Sequence, residues 1–433
     1  MVSLYFACRP ARRFLRPIAT GVMLVTALGA MLPGALAQGA PLTLAEAQRR
    51  AVERSKQLPA KEYAISASRD MAVAAAQLPD PILKAGIDNL PVSGRDRFSL
   101  TDDFMTMRRI GVMQEITRSD KRTLRAERFN RSAEKTIAEK DVTTAAIERD
   151  TALAWLDLYY AQKMAALVEE QGAQAKLEMQ AADGAYRSGR GAQADVFSAR
   201  SAAASFEDRS SEYRRRILNA KTQLARWVGN GADLALAGTP EINIIRLDPA
   251  TLDTQLAHHP EIAVYSKKVE IAETEVRLAQ ANKQADWSVE LAYQQRGPAY
   301  SNMASIGVSI PLQWDQKNRQ DRELSSKLAL IDEAKGERDE MLRDHVAQTR
   351  IMINEWENDR ERLARYERDI VPLAAKRTLA GVTAYSGGKT SLNEVLSARR
   401  NEIDVRLQAL QLQADTARLW AQLNFLFPRK DMQ

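Results

Sequence analysis

The chain has 433 residues, of which 45% are hydrophobic, 27% charged and only 6% aromatic. It is too apolar for a disordered polymer and long enough for two or three ordinary domains, and its few prolines and glycines (15 and 20) favour long helices. A single cysteine excludes an internal disulfide and a Cys-based zinc site, while the formal charge of +6 points toward nucleic acid or a membrane surface until that charge is located along the chain.

Residues 1–37 read as a signal peptide. Arg9, Arg12, Arg13 and Arg16 form a positive leading region, Ile18 to Leu32 is uncharged and apolar, and Ala35-Leu36-Ala37 supplies the small residues of a cleavage site. Cleavage before Gln38 removes those four arginines and no acid, so +6 becomes +2 and a nucleic-acid partner is not expected. Cys8 leaves with this segment. No later stretch reaches the roughly 18 apolar residues of a membrane-spanning helix.

The exported chain reads as two copies of one unit. A first repeat over 38–232 carries a β-hairpin at about 80–117 and a helical hairpin at about 118–228. Residues 233–247 form a linker, marked by Asn-Gly, Gly-Thr-Pro and Asp-Pro in and around it. A second repeat over 248–428 carries a β-hairpin at about 286–313 and a helical hairpin at about 315–427, followed by a tail at 429–433. Arg118 to Tyr186 contains no proline, predicting a helix of roughly 100 Å at 1.5 Å per residue. Its counterpart runs from about Asp315 to Tyr385 with a kink expected at Pro372.

The strands alternate. Val289, Leu291 and Tyr293 share one face while Ser288, Glu290 and Gln294 share the other. Ile306, Val308, Ile310 and Leu312 line up likewise, as do Leu83, Ala85 and Ile87, and Ile110 and Val112. Apolar-out and polar-in segments of this length fit a transmembrane β-barrel wall, with Trp287 and Trp314 as membrane-interface aromatics. A soluble two-hairpin sheet packed on helices is the competing reading, and the export signal and the roughly 100 Å helices favour the wall. Four strands cannot close a barrel, and an open edge in lipid leaves backbone groups unpaired at several kcal/mol each. Several chains must therefore share one barrel, eight strands from two or twelve from three.

The duplication is sharpest at the helical turns. Tyr186…Gly189-Arg190…Asp195-Val-Phe-Ser-Ala-Arg200 recurs 199 residues later as Tyr385…Gly388-Lys389…Glu394-Val-Leu-Ser-Ala-Arg399. Asp195 and Glu394 take equivalent places just after the two turns, and the outer membrane factor resemblance carried by these motifs implies that they line a periplasmic entrance, where an acidic ring draws cations. Arg190, Lys389, Tyr186 and Tyr385 lie close enough in sequence to hold such an entrance closed. Helix capping competes as the role of both acids. Elsewhere no catalytic motif is present, so an enzyme is not expected, nor is a cofactor or a bound metal. His258-His259 before Pro260 reads as a solvated loop pair, His345 as a lone histidine on a charged helix, and Met105, Met107 and Met113 as packing residues.

These paired motifs, with Leu42-Thr-Leu-Ala-Glu-Ala at one end and Leu423-Asn-Phe-Leu-Phe427 at the other, resemble the TolC-like outer membrane factor family over the whole exported chain. Leu78-Pro-Asp-Pro81…Asn89-Leu-Pro-Val92…Phe98-Ser-Leu-Thr…Met105-Thr-Met-Arg-Arg-Ile110 further resembles its heavy-metal (cobalt–zinc–cadmium or copper–silver) branch. The resemblance implies a mainly α fold with a β-barrel part, a homotrimer forming a 12-stranded outer-membrane β-barrel continued by a periplasmic α-helical tunnel. It also implies adaptor contact at the Gly189 and Gly388 turns, a periplasmic adaptor (membrane fusion) protein and a proton-driven inner-membrane pump of the resistance-nodulation-division type. The implied function is the exit duct of a tripartite efflux system, located in the cell outer membrane. Drug efflux, type I protein secretion and a periplasmic coiled-coil adaptor are the alternatives. Family members often carry a lipidated cysteine after the signal; this sequence has none there, so the barrel is its expected membrane attachment.

Overall fold

A computed structural model describes residues 40–428; the expected signal peptide and the tail at 429–433 lie outside the described residues. The chain opens with α1 (Leu44–Arg54) and α2 (Gln57–Ala75). Thr43 caps α1 by accepting from the Glu46 N–H at 3.2 Å, and the Glu46 carboxylate in turn pairs with Arg49 and Arg50 one turn on. Strands β1 (Ile82–Asp88) and β2 (Met107–Ile116) follow, and then α3 (Ser119–Arg187) runs unbroken for 69 residues. The tight turn at Gly189 leads back into α4 (Gln193–Val228).

The second half repeats this order. A short α5 (Leu252–Leu256) and α6 (Pro260–Asn282) precede β3 (Trp287–Gln295) and β4 (Met303–Ser309). The long helix is here divided into α7 (Gln320–Arg365) and α8 (Val371–Ser386), and α9 (Leu392–Asn424) returns after the Gly388 turn. The unit of helix, β-hairpin and helical hairpin is therefore present twice. Pro372 has no N–H to give to the carbonyl four residues earlier. The chain absorbs that loss in a π-helical turn over Tyr366–Ile370, one turn before the expected kink, and continues as helix.

The four strands form one antiparallel meander in the order β1-β2-β3-β4. Its register places Leu83 opposite Val112, Val112 opposite Leu291, and Leu291 opposite Ile306, so one face is an apolar row. That row is exposed: Leu83 is 68% accessible, Leu291 58% and Ile306 77%. The opposite face carries Lys84, Arg109, Glu290, Gly111 and Ser305. Glu290 accepts from Lys84 at 2.7 Å and also pairs with Arg109, which lies 3.8 Å from Asp88. Strand β4 begins and ends about three residues earlier than the alternation suggested, because Ile310, Pro311 and Leu312 lie beyond it. Proline cannot donate to a ladder, and a two-residue period does not mark where a strand stops.

Below the sheet, three apolar clusters follow the helices. Trp155, Leu156, Leu158, Val168, Leu224, Ile403 and Ala417 pack α3, α4 and α9 together at mid-length. Ala182, Val196, Ala199, Leu392 and Leu396 pack the two helical turns against each other. Leu252, Leu256, Ile353, Trp356 and Leu423 form the third, joining α5, α7 and α9. Alanine at so many of these positions lets helix backbones approach closely. Between the clusters and the sheet, α2, α3, α6 and α7 are tied by ion pairs, among them Lys61–Glu139 at 2.6 Å, Arg277–Glu127 at 2.6 Å and Arg131–Glu270 at 2.9 Å. Among the described residues no helix is long and apolar enough to cross a membrane.

Candidate functional site: the paired helical tips

The two turns named by the sequence repeat lie at the same end of the molecule, held by the Ala182–Leu396 cluster. Three of their backbone hydrogen bonds match. Arg190 N–H donates to the Ala185 carbonyl at 2.9 Å and Gly189 N–H to Tyr186 at 2.9 Å. In the second copy Lys389 donates to Ala384 at 2.8 Å and Gly388 to Tyr385 at 3.0 Å. Gly189 (φ 72°) and Gly388 (φ 68°) occupy the left-handed conformation that ends each helix, where a side chain is strained although the space around both is open.

Asp195 and Glu394 both sit in the first turn of the returning helix. The Asp195 carboxylate accepts from the Ala192 N–H at 3.3 Å, so it caps α4. Glu394 takes the Thr390 hydroxyl, while its own N–H donates to the Ser391 hydroxyl at 3.4 Å. Capping by the carboxylate is thus visible for Asp195, whereas α9 is capped by Ser391 and Glu394 only occupies its first turn. Arg190 turns to the Ser188 hydroxyl at 3.1 Å rather than to either acid. Tyr186 and Tyr385 are 45% and 38% exposed, placing both rings at the surface.

The polar link that fastens one tip to the other is a pair the sequence reading did not single out. Arg399 and Glu178 form an ion pair between α9 and α3, Nε lying 2.6 Å from Oε1 with both side chains mostly buried. Burial pushes the Glu178 carboxyl above its ordinary pKa, and the Arg399 charge opposes that shift. Near it, Asp183 bridges Arg187 at 2.7 Å and Arg200 at 3.6 Å. Arg200 and Arg399 were legible as repeat-matched residues; their acidic partners were not, because those lie outside the repeated motif.

At the other end, Trp287 opens β3 and Trp314 follows β4, both exposed at the side of the sheet where the helices attach. Lys121 and Asp286 fix that junction. Lys121 Nζ donates to Asp286 Oδ2 at 2.9 Å and to the Gln284 carbonyl at 2.6 Å, and Asp286 Oδ1 accepts the Arg118 N–H at 3.0 Å. This ties the start of α3 to the start of β3. A second device missed in the sequence also occurs twice. The Trp155 indole donates to the Leu42 carbonyl and the Trp356 indole to the Ile242 carbonyl, each at 3.0 Å. Met107 and Met113 lie on the polar-side face of β2, and Met105 in the loop before it.

The histidines correct the sequence reading. His259 is buried at 6% exposure rather than solvated, and its ring lies 4.6 Å from that of His345, which is therefore not alone. An 84-residue separation between Glu261 and its partner His345 hid this contact.

No family model matches the chain. It is 25% identical over 201 residues to the cobalt-zinc-cadmium resistance protein CzcC of Cupriavidus metallidurans, a match covering 46% of this chain and 45% of that protein, a little under half of each. Among solved structures it resembles the outer-membrane channel OprN (TM-score 0.72, 16% identity, 89% of this chain and 90% of that one). It also resembles the outer membrane protein VceC of Vibrio cholerae (TM-score 0.71, 19% identity, 88% and 95%) and CusC (TM-score 0.73, 14% identity, 88% and 92%), whose structures were described in relation to transmembrane channel formation. The chain thus carries the fold of the TolC-type outer-membrane channels.

Proposed function

We propose that this protein is the outer-membrane exit duct of a tripartite efflux system, passively conducting heavy-metal cations delivered by a periplasmic adaptor and an inner-membrane pump. The observation that carries this reading is the sheet. Four strands expose one apolar face, keep ion pairs on the other, and leave β1 and β4 unpaired at the two edges. In lipid those edges must be covered by other strands. Three chains supply twelve strands and a lumen wide enough to conduct, whereas eight strands would be filled by their own side chains.

The long helices below such a barrel continue it as a tunnel, and both tips of each chain meet at its far end. Three chains bring three copies of Asp195 and Glu394 there, a concentration of negative charge that favours cations. In this assembly Tyr186, Tyr385, Arg190 and Lys389 border the entrance, the Gly189 and Gly388 turns meet the adaptor, and Trp287 and Trp314 lie at the membrane interface. The metal substrate is supported by the similarity to CzcC, a cobalt-zinc-cadmium resistance protein. Deleting the gene is expected to lower tolerance to zinc, cadmium or cobalt. Unchanged metal tolerance together with sensitivity to organic compounds alone would overturn the metal assignment and favour drug efflux.

A further inference from the structure

His259, Glu261 and His345 converge from two helices. His259 immediately precedes α6, Glu261 lies in its first turn, and His345 comes from the middle of α7. One ligand atom from each lies within 4.8 Å of the other two. His345 Nε2 already stands 3.0 Å from Glu261 Oε2. Two ligands on one tetrahedral ion, each at about 2.0–2.1 Å, lie about 3.3 Å apart, so this edge of the triangle is close to the required length.

The surroundings of His259 suit a ligand. Its ring is packed against His345 and, at 5.4 Å between centroids, against Phe427. Its Nδ1 faces the Glu261 N–H at a long 3.3 Å, and the Leu426 carbonyl accepts a hydrogen bond from the ring. A carbonyl on one ring nitrogen fixes the tautomer, as around many metal-bound histidines, and a metal on the other nitrogen takes its lone pair by displacing the long contact from the Glu261 N–H. The ring is buried, with His345 and Arg149 as its titratable neighbours. The α6 N-terminus and Arg149 oppose a cation here, whereas the Glu261 carboxylate favours one.

We propose that His259, Glu261 and His345 form a site for one borderline divalent cation of the zinc and cobalt class, which clamps α6 to α7. Two imidazoles and one carboxylate with a fourth position left to water match that class of ion. This inference is independent of the duct reading, since a closed clamp between two helices requires neither a trimer nor a pump.

The test uses the full exported chain without a histidine tag, purified in detergent, stripped with a chelator and titrated with cobalt(II). One equivalent per chain is expected, with the intense visible absorption of a four-coordinate site, displaced by zinc(II). His345→Gln and Glu261→Gln leave the His259 cap in place, so the fold is retained; each is expected to weaken binding at least tenfold and to abolish the rise in thermal midpoint that zinc gives the unaltered protein. Absence of stoichiometric binding, or stoichiometric binding that survives both substitutions, overturns the proposal.

Discussion

Replacing Asp286 by asparagine tests how the strands are anchored to the helices. In the native chain the Lys121 side chain is only 4% exposed and that of Asp286 17%, so the pair sits largely out of water. Asp286→Asn preserves shape and can still accept the Arg118 N–H, but it leaves the Lys121 ammonium buried with only the Gln284 carbonyl at 2.6 Å as its neutral partner. Removing one member of a buried pair costs about 3–5 kcal/mol, and the remaining carbonyl places this case near the lower end. At about 1.4 kcal/mol per decade, the unfolding equilibrium should shift roughly a hundredfold or more. Denaturation followed by circular dichroism, at one fixed protein concentration, measures this directly. Lys121→Met combined with Asp286→Asn should recover most of the loss, since no charge is then buried alone. A single-variant effect within about 0.5 kcal/mol, the range of ordinary surface changes, would mean that the Lys121–Asp286 pair does not anchor the junction. The pH dependence has a defined sign. Burial raises the Asp286 carboxyl, but the Arg118 N–H and the Lys121 ammonium outweigh it and hold its pKa below the ordinary value. Its contribution is therefore present above about pH 4, the unfolded value, and is lost as pH falls through the lower folded one. Asp286→Asn should remove that part of the acid sensitivity.

Trp356→Phe should cost about 1–3 kcal/mol by taking the indole donor from the buried Ile242 carbonyl. Trp155→Phe should cost less in hydrogen bonding, because the Leu42 carbonyl also receives the Ala237 N–H at 3.2 Å; equal losses in thermal denaturation would contradict this account. Replacing Asp195 and Glu394 together by alanine should lower cation preference in planar bilayers, beyond the loss of about 1 kcal/mol for the Asp195 cap. Unchanged selectivity with reduced helix stability would leave both acids as caps alone.

Much of the fold was legible because it is carried by short-range periodicity. The alternation of Val289, Leu291 and Tyr293 identified the exposed face of β3, and the absence of proline from Arg118 to Tyr186 defined α3 to within about a residue at each end. Repetition made the tips legible as well, since Gly189 and Gly388 occupy the same conformation 199 residues apart. Three features were hidden for a common reason. Lys121 meets Asp286, His345 meets Glu261, and Arg399 meets Glu178 across long separations in sequence, and no local pattern records a partner on a distant element. The ends of β4 and the π-helical turn before Pro372 escaped for a different reason. A hydrophobic period tells which face a residue occupies, whereas chain breaks depend on where the backbone can find donors.

The central claim is that one chain is a third of a closed barrel. Native mass measurement of the protein extracted from the outer membrane tests this most directly. A shared twelve-stranded barrel gives a species of three chains that falls to single chains on heating in detergent. A monomer recovered from the soluble periplasmic fraction, with β1 and β4 both unpaired, would contradict it.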